Sequence, residues 1–424
     1  MGVGRAHLHW QFDEEAWARV QAEMARREPD AEKPRRHLLA YGWRLSLWIG
    51  LVAALAYVAH ASWVAPRQEM RRAIAEQLRQ EETLWLAADL DGLVSAVDPQ
   101  ARPEWVRWYR THSLWRRNGA RADTRLPAFQ IRTIQWLDGS RVLVTVRYTS
   151  QEAPTYQEGI VFRSVGSRWL RTSPDPALWG VLYLDAEGPV AFEYRERDTD
   201  AVEALAPVVD TMLQRLRGRL PATDLLGLEG QRLHVVVHAD PVQVRRSFFG
   251  ERRLHLLSPH LDRRLAQDTP AQALSRSVAT ALAQQAASRI LPHYGYFDPR
   301  WGALYRGFVG WLARDINPLV AGSVPEDRRP LERYVEREGL PTLFSLRRRH
   351  QGYPWETSWV DLAAQSLFAY TLETYPVEDL QLLFRSAILS ARWERWTQTT
   401  LGISAAEYQA GWHAYLQERW LQKK

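Results

Sequence analysis

The chain has no cysteine. That excludes disulfides, thiolate catalysis and Cys-ligated zinc, and it leaves the redox compartment open. Lysine is almost as scarce, with Lys33, Lys423 and Lys424 the whole complement. The positive charge is therefore nearly all arginine, dispersed among almost as many acids, for a formal net charge of +6. The densest basic run is "RRRH", Arg347 to His350. It reads as a solvated face, and no nucleic-acid partner is expected. GxSxG, P-loop and GxGxxG motifs are also missing, which removes the usual signatures of serine hydrolysis and of phosphate cradling.

What is present is a globular composition, 46% hydrophobic and 25% charged over 424 residues. That length predicts two or three domains. Leu45 to Val64, "LSLWIGLVAALAYVAHASWV", holds no Asp, Glu, Lys or Arg. At 1.5 Å per residue it would span about 30 Å, a bilayer's hydrocarbon thickness. Trp48 and Trp63 stand near its ends, so a transmembrane helix over 45–64 is expected, with the bilayer as a partner. Six basic residues before it (Arg26, Arg27, Lys33, Arg35, Arg36, Arg44) against four after it (Arg67, Arg71, Arg72, Arg79) place residues 1–44 in the cytoplasm and the rest outside. The tail carries one candidate amphipathic helix, "FDEEAWARVQAEMARRE" from Phe12, with a stripe of Trp17, Val20 and Met24 suited to a partner helix or to the membrane surface.

Residues 66–175 form the next unit. Gln68 to Val97 is helical by pattern. After an Arg- and Trp-rich passage the period switches to two. "FQIRTIQWLDGSRVLVTVRY" predicts a hairpin around Asp138-Gly139, and "TYQEGIVFRSVGSRWLRTSP" a second one around Gly166. His112 stands alone and reads as structural. A long helix followed by a curved antiparallel sheet resembles the nuclear transport factor 2-like (SnoaL-like) cone fold. The resemblance implies a possible pocket and little specific chemistry, so the unit is expected to be a spacer or binding module.

Residues 182–424 read differently. "GPVAFEYRERDTDAVEALAPVVDTMLQRLRGRL" predicts a strand then a helix, and "QRLHVVVHADP" and "RRLHLLSPHL" two more strands. Helices are expected over Pro270 to Arg289, Leu304 to Asp315, Leu362 to Tyr375, Val377 to Leu389 and Ala405 to Trp420. In "ALSRSVATALAQQAAS", Leu274, Val278, Ala281, Leu282 and Gln285 share one helical face, while Arg276, Ser277 and Thr280 fall on another. His234 and His238, spaced as HxxxH, would stand about 13 Å apart on a strand, too far to share a metal. His255 and His260 flank "LLSP", and His293 sits in "LPHYGYFDP"; each reads as an ordinary histidine. Ser366 in "QSLF" reads as a small residue on a packed helix.

Taken together, "FEYRERDTDAVEALA", "LHVVVHADP", "LLSPHL", the Ala273–Ser288 helix, "YRGFVGWLA", "AAQSLFAYTLETYPVEDLQLLF" and "LGISAAEYQAGWHAYL" resemble, in order and spacing, the peptidase MA-like (gluzincin) zinc metallopeptidases. In that family the helix carries HExxH, two zinc-binding His around a general-base Glu, and the next helix supplies a third ligand, Glu. Here Arg276 takes the place of the first His, Ser277 of the Glu, Thr280 of the second His and Arg306 of the third ligand. None of the four can do the corresponding chemistry. The two arginines could hold an anion, reach solvent, or pair with Asp298 or Asp315.

The expected fold is thus α+β and multidomain: a single transmembrane helix, a cone-shaped α+β domain, and a mostly helical gluzincin-like domain with a small N-terminal sheet. The expected function is that of a membrane-anchored pseudopeptidase with a binding, regulatory or scaffolding role in a bacterial-type cell envelope, with no cofactor and an unidentified protein or peptide partner. The alternatives are an anti-sigma-like transmembrane regulator signalling through the tail, an active hydrolase with a relocated site, and a purely structural envelope protein.

Overall fold

The computed structural model describes residues 35–87, 89–106, 109, 128–149, 155–186, 190–220, 232–244, 253–290, 302–319, 328–347, 359–376 and 392–421, with a few single positions besides. The tail helix from Phe12, His112, His293, Asp298 and most of the helix expected over 377–389 lie outside the described residues. The chain divides into two compact units, Met1–Glu69 and Met70–Lys424.

The described part of the first unit belongs to helix α1 (Arg35–Leu86), 52 residues long. Leu47, Trp48, Ile49, Val52 and Leu55 are exposed on it. Among the described residues no helix is long and apolar enough to cross a membrane. This corrects the expectation of a transmembrane helix at Leu45–Val64, and with it the single-pass topology, the bilayer contact and the cell-membrane localisation. Freedom from charge is not the same as apolarity.

The second unit is mixed helix and sheet, and a short helix, α2 (Leu90–Ser95), follows α1 in it. Its first layer is an antiparallel sheet in the order β1 (Ala128–Trp136), β2 (Arg141–Thr149), β3 (Tyr156–Val165), β4 (Arg168–Arg171). Alternation decides which face is inward. Val142, Val144, Val146 and Tyr148 of β2 share a core with Met70, Ile74 and Leu78, which recur every four residues on α1. Both hairpins form where alternation and turn residues place them. Asp138 Oδ1 accepts from the Ser140 and Arg141 N–H groups, and Gly166 takes a φ of 62° that a glycine adopts readily.

A second sheet runs β5 (Leu182–Asp185), β6 (Val190–Arg195), β7 (Leu233–His238), β8 (Arg253–Leu257), with β5 antiparallel to β6 and the rest parallel. Helix α3 (Thr199–Arg219) follows β6, and its buried Val202, Leu205, Val209, Met212 and Leu216 cover one sheet face. Helices α4 (Pro270–Ile290), α5 (Gly302–Ile316), α6 (Arg329–Glu338), α7 (Trp359–Thr374) and α8 (Ala405–Tyr415) complete this core. Gly307 and Gly310 let α5 lie directly against Ala364 and Gln365 of α7, where a Cβ would collide. A Ser404–Glu407 capping box starts α8.

One segment joins the two sheets. After β8 the chain turns at Ser258 and crosses to the first sheet, where β9 (Arg264–Leu265) pairs with Tyr156 and Gln157 of β3. Leu261 of this strap packs with Leu143, Val161, Trp179 and Ala239 in a small core on the outer face of β2 and β3. The strap's His260 carbonyl lies where the Cβ of any residue other than glycine at position 159 would sit.

Gly159→Ala should therefore force β3 and the strap apart, costing about 1–3 kcal/mol as over-packing does. Gly139→Ala, with open space around it, should stay within roughly 0.5 kcal/mol of wild type. Urea denaturation of both variants checks the contrast.

Candidate functional site

The strap closes a cavity of about 330 Å³, near the low end of small-molecule sites, which run from roughly 300 to 1,000 Å³. Helix α1 and the turns after it supply Leu78, Glu81, Glu82, Trp85, Leu93, Trp105 and Tyr109. The first sheet supplies Tyr148, Glu158, Ile160 and Arg171. The second half of the unit supplies Pro241, Leu257, Leu261, Asp262 and Arg263. Residues nearly two hundred positions apart thus face one space.

One wall is aromatic. Tyr109 lies 5.8 Å from Trp85 and 5.7 Å from Trp105, centroid to centroid, in tilted geometry. The other wall is charged. Arg171 Nε bonds Glu81 Oε2 at 2.9 Å, and Gln77 donates to Glu81 Oε1 at 3.3 Å. Burial works against the Arg171 charge, but Glu81, Tyr109, Glu158 and Tyr148 together outweigh it and raise its pKa. Tyr148 donates its hydroxyl to Glu158 at 3.1 Å. The Arg263 guanidinium lies over the rings of Tyr148 (4.8 Å) and Tyr156 (5.0 Å). Burial and then the neighbouring Glu81 push the Glu82 carboxyl up to about 7, against the pull of Arg79. Burial pushes Asp262 up to about 6, opposed by the Ser277 hydroxyl and the Arg263 N–H.

The four positions of the lost zinc motif do not gather as a ligand set. Arg276 Nε lies 3.2 Å from Asp268 Oδ2. Ser277 donates to Asp262 Oδ2 at 3.2 Å. Thr280 is exposed. Arg306 bonds Asp361 on α7. The expected partners are corrected as well: Asp315 pairs with Arg219 at 2.7 Å, while Asp268, eight residues before Arg276, takes the role proposed for a downstream acid. A permanently cationic guanidinium salt-bridged to a carboxylate offers zinc no lone pair, so these residues do not fit the metal. Among the described residues no three His, Asp or Glu side chains group as a metal site.

Ser366 is fully buried, donates to the Ala363 carbonyl and accepts from Trp412 Nε1 at 3.0 Å. It is a packing residue. His234 and His238 lie on strand β7, as expected. No local pattern signals that His238 meets His255 on the neighbouring parallel strand: Nε2 and Nδ1 are 2.7 Å apart, the ring planes differ by 10°, and Gln243 Oε1 lies 3.0 Å from His238 Nδ1. Burial and then His255 lower the His238 pKa. The cavity acids were equally hidden, because Glu81 and Glu82 look like ordinary helix-surface residues until the strap covers them.

The strap is held by a buried polar chain. Trp179 Nε1 donates to Ser258 Oγ at 3.2 Å, and Ser258 donates to Asp198 Oδ1 at 2.6 Å. Asp198 is wholly buried, and burial pushes its carboxyl up to about 6, opposed by Ser258, Arg197 and Trp179. No protein-family model, no curated protein and no solved structure matches the chain.

Two outcomes are expected. Asp198 holds its proton more tightly folded than unfolded, so its contribution to stability is fully present below about pH 4 and is lost as pH rises through 6. Asp198→Asn should gain roughly 2–3 kcal/mol relative to wild type between pH 4 and pH 7.5, and parallel stability curves would refute the buried-acid account. Arg276→Met removes the guanidinium beside the buried Asp268 carboxylate and should cost about 2 kcal/mol in denaturation at pH 7.

Proposed function

We propose that the chain is a small-molecule-binding protein of pseudopeptidase type, with the strap-closed cavity as its ligand site and no zinc-dependent proteolysis. The observation that carries this reading is the cavity itself, with an aromatic panel on one side and carboxylates on the other. A folded chain that needed only stability would fill such a volume with Leu, Ile or Val, because interiors pack to crystal-like density. Concave sites that combine apolar walls with a few convergent polar groups are the usual form of small-molecule sites. The gluzincin resemblance supports the other half of the reading: in this chain the positions of the metal ligands and base are Arg276, Ser277, Thr280 and Arg306, three of which are engaged with Asp268, Asp262 and Asp361.

The reading is tested by titrating the protein with a chemically diverse fragment set and following thermal stability. A saturable rise in Tm that Trp105→Ala weakens at least tenfold in apparent Kd is expected. No shift from any fragment would sink the binding reading. Peptide hydrolysis that depends on added zinc, and is lost in a variant of His238 or His255, would replace it with the relocated-hydrolase reading.

A further inference from the structure

The second sheet carries a pair of imidazoles that the cavity does not use. Strands β7 and β8 are parallel neighbours, with Val236 in register with His255. Side chains two apart on a strand share a face, so His238, at the end of β7, stands on the same face as His255. Their ring nitrogens meet, His238 Nε2 to His255 Nδ1, at 2.7 Å. Gln243, on the short helical turn Pro241–Val244, sets the tautomer. Its Oε1 can only accept, so the 3.0 Å contact puts the His238 proton on Nδ1. The Nε2 lone pair then faces His255, whose Nδ1 donates to it. A carbonyl or carboxylate on the far nitrogen is the usual way a histidine is oriented for a metal ion. Glu193 on β6, also in register with Val236, adds a negative charge that acts on His238.

From this arrangement we infer that His238 Nε2 and His255 Nδ1 bind a divalent transition-metal ion, with Gln243 as the positioning residue and water completing the coordination shell. Two nitrogens each about 2.0–2.1 Å from one tetrahedral ion stand roughly 3.3 Å apart. The pair therefore needs to open by roughly 0.6 Å. The ion takes the place of the proton between the rings, and that proton passes to His255 Nε2. Both rings are half-buried and Gln243 is exposed, so the ion has a path from solvent and room for water ligands. Imidazole suits Zn2+, Ni2+ and Cu2+, while Mg2+ and Ca2+ want oxygen. The consequence is local. The His238 carbonyl accepts from the Ser258 N–H at 2.8 Å, so an ion joining β7 to β8 braces the root of the strap. The site is separate from the cavity and from the lost peptidase motif, and it assigns a bound ion without hydrolysis.

The test titrates Zn2+ and Mg2+ calorimetrically into the full chain at pH 7.5 and follows Tm in parallel. Zn2+ should bind and raise Tm, as a ligand of the folded state does, and Mg2+ should do neither. His238→Ala and His255→Ala should each weaken Zn2+ at least tenfold and remove most of the Tm rise. His234→Ala, on the same strand but about 13 Å from His238, should stay within twofold of wild type. Gln243 is exposed, so its variants spare the fold. Gln243→Leu should weaken Zn2+ about tenfold, and Gln243→Glu, which makes the orienting acceptor a carboxylate, should strengthen it. If wild type binds no Zn2+, or the His238 and His255 variants hold it as tightly as wild type does, the metal inference falls and the pair is a packing contact. Equal affinity in both Gln243 variants and wild type would overturn it too. None of these results touches the reading of the cavity, which the fragment titration decides.

Discussion

The contact on which the second unit depends is the approach of the His260 carbonyl to the Cα of Gly159. Glycine at that point of β3 lets a strap from the second sheet lie flat on the first. Everything around the contact reinforces it. Ser258 is fixed by Trp179 and Asp198, Leu261 fills the space between sheets, and β9 extends the β3 edge with ladder hydrogen bonds. The Thr155 carbonyl accepts from Ala266 just beyond it. Two sheets built from separate stretches of chain thereby become walls of one space.

Helix α4 serves the same end. It is buried on most of its circumference, with Leu274, Val278 and Leu282 on one side and Ala279, Ala283, Ala286 and Ala287 filling the rest. Its exceptions are informative. Arg276 and Ser277 both reach back to the segment that has just crossed to the first sheet, gripping Asp268 and Asp262. Asp268 is almost entirely buried, and a buried carboxylate without a cation is far more costly than an exposed one. An arginine at 276 thus answers a local electrostatic demand, whatever chemistry a histidine there would serve in the zinc peptidases the sequence resembles. Gly307 has a similar local reason, since α5 could not approach Ala364 with a side chain at that point.

Much of the secondary structure was legible because it follows periodicity. The alternation of Val142, Val144 and Val146, the turn at Asp138-Gly139, the triple valine of β7 and the face of α4 each state their conformation locally. What could not be read is what depends on register and on distance. His238 and His255 meet only because β7 and β8 are parallel with Val236 opposite His255, and no local pattern sets that register. Glu81, Glu158 and Asp262 come from a helix, a strand and a strap, each ordinary in its own setting. The charge-free run at Leu45–Val64 misled for a related reason: counting charges registers what a segment lacks, while partition into lipid depends on how strongly each residue present prefers it.

The strap and the cavity acids are thermodynamically linked. Closing the strap takes Asp198 and Asp262 out of water, and burial raises both pKa values. At neutral pH the closed state therefore keeps two carboxylates ionised in a setting that disfavours their charge. Ser258 and Ser277 offset part of that cost with hydroxyl donors, yet a neutral donor compensates a carboxylate only in part. Packing the strap down on Gly159 therefore costs most where those protons are lost, as pH rises through about 6.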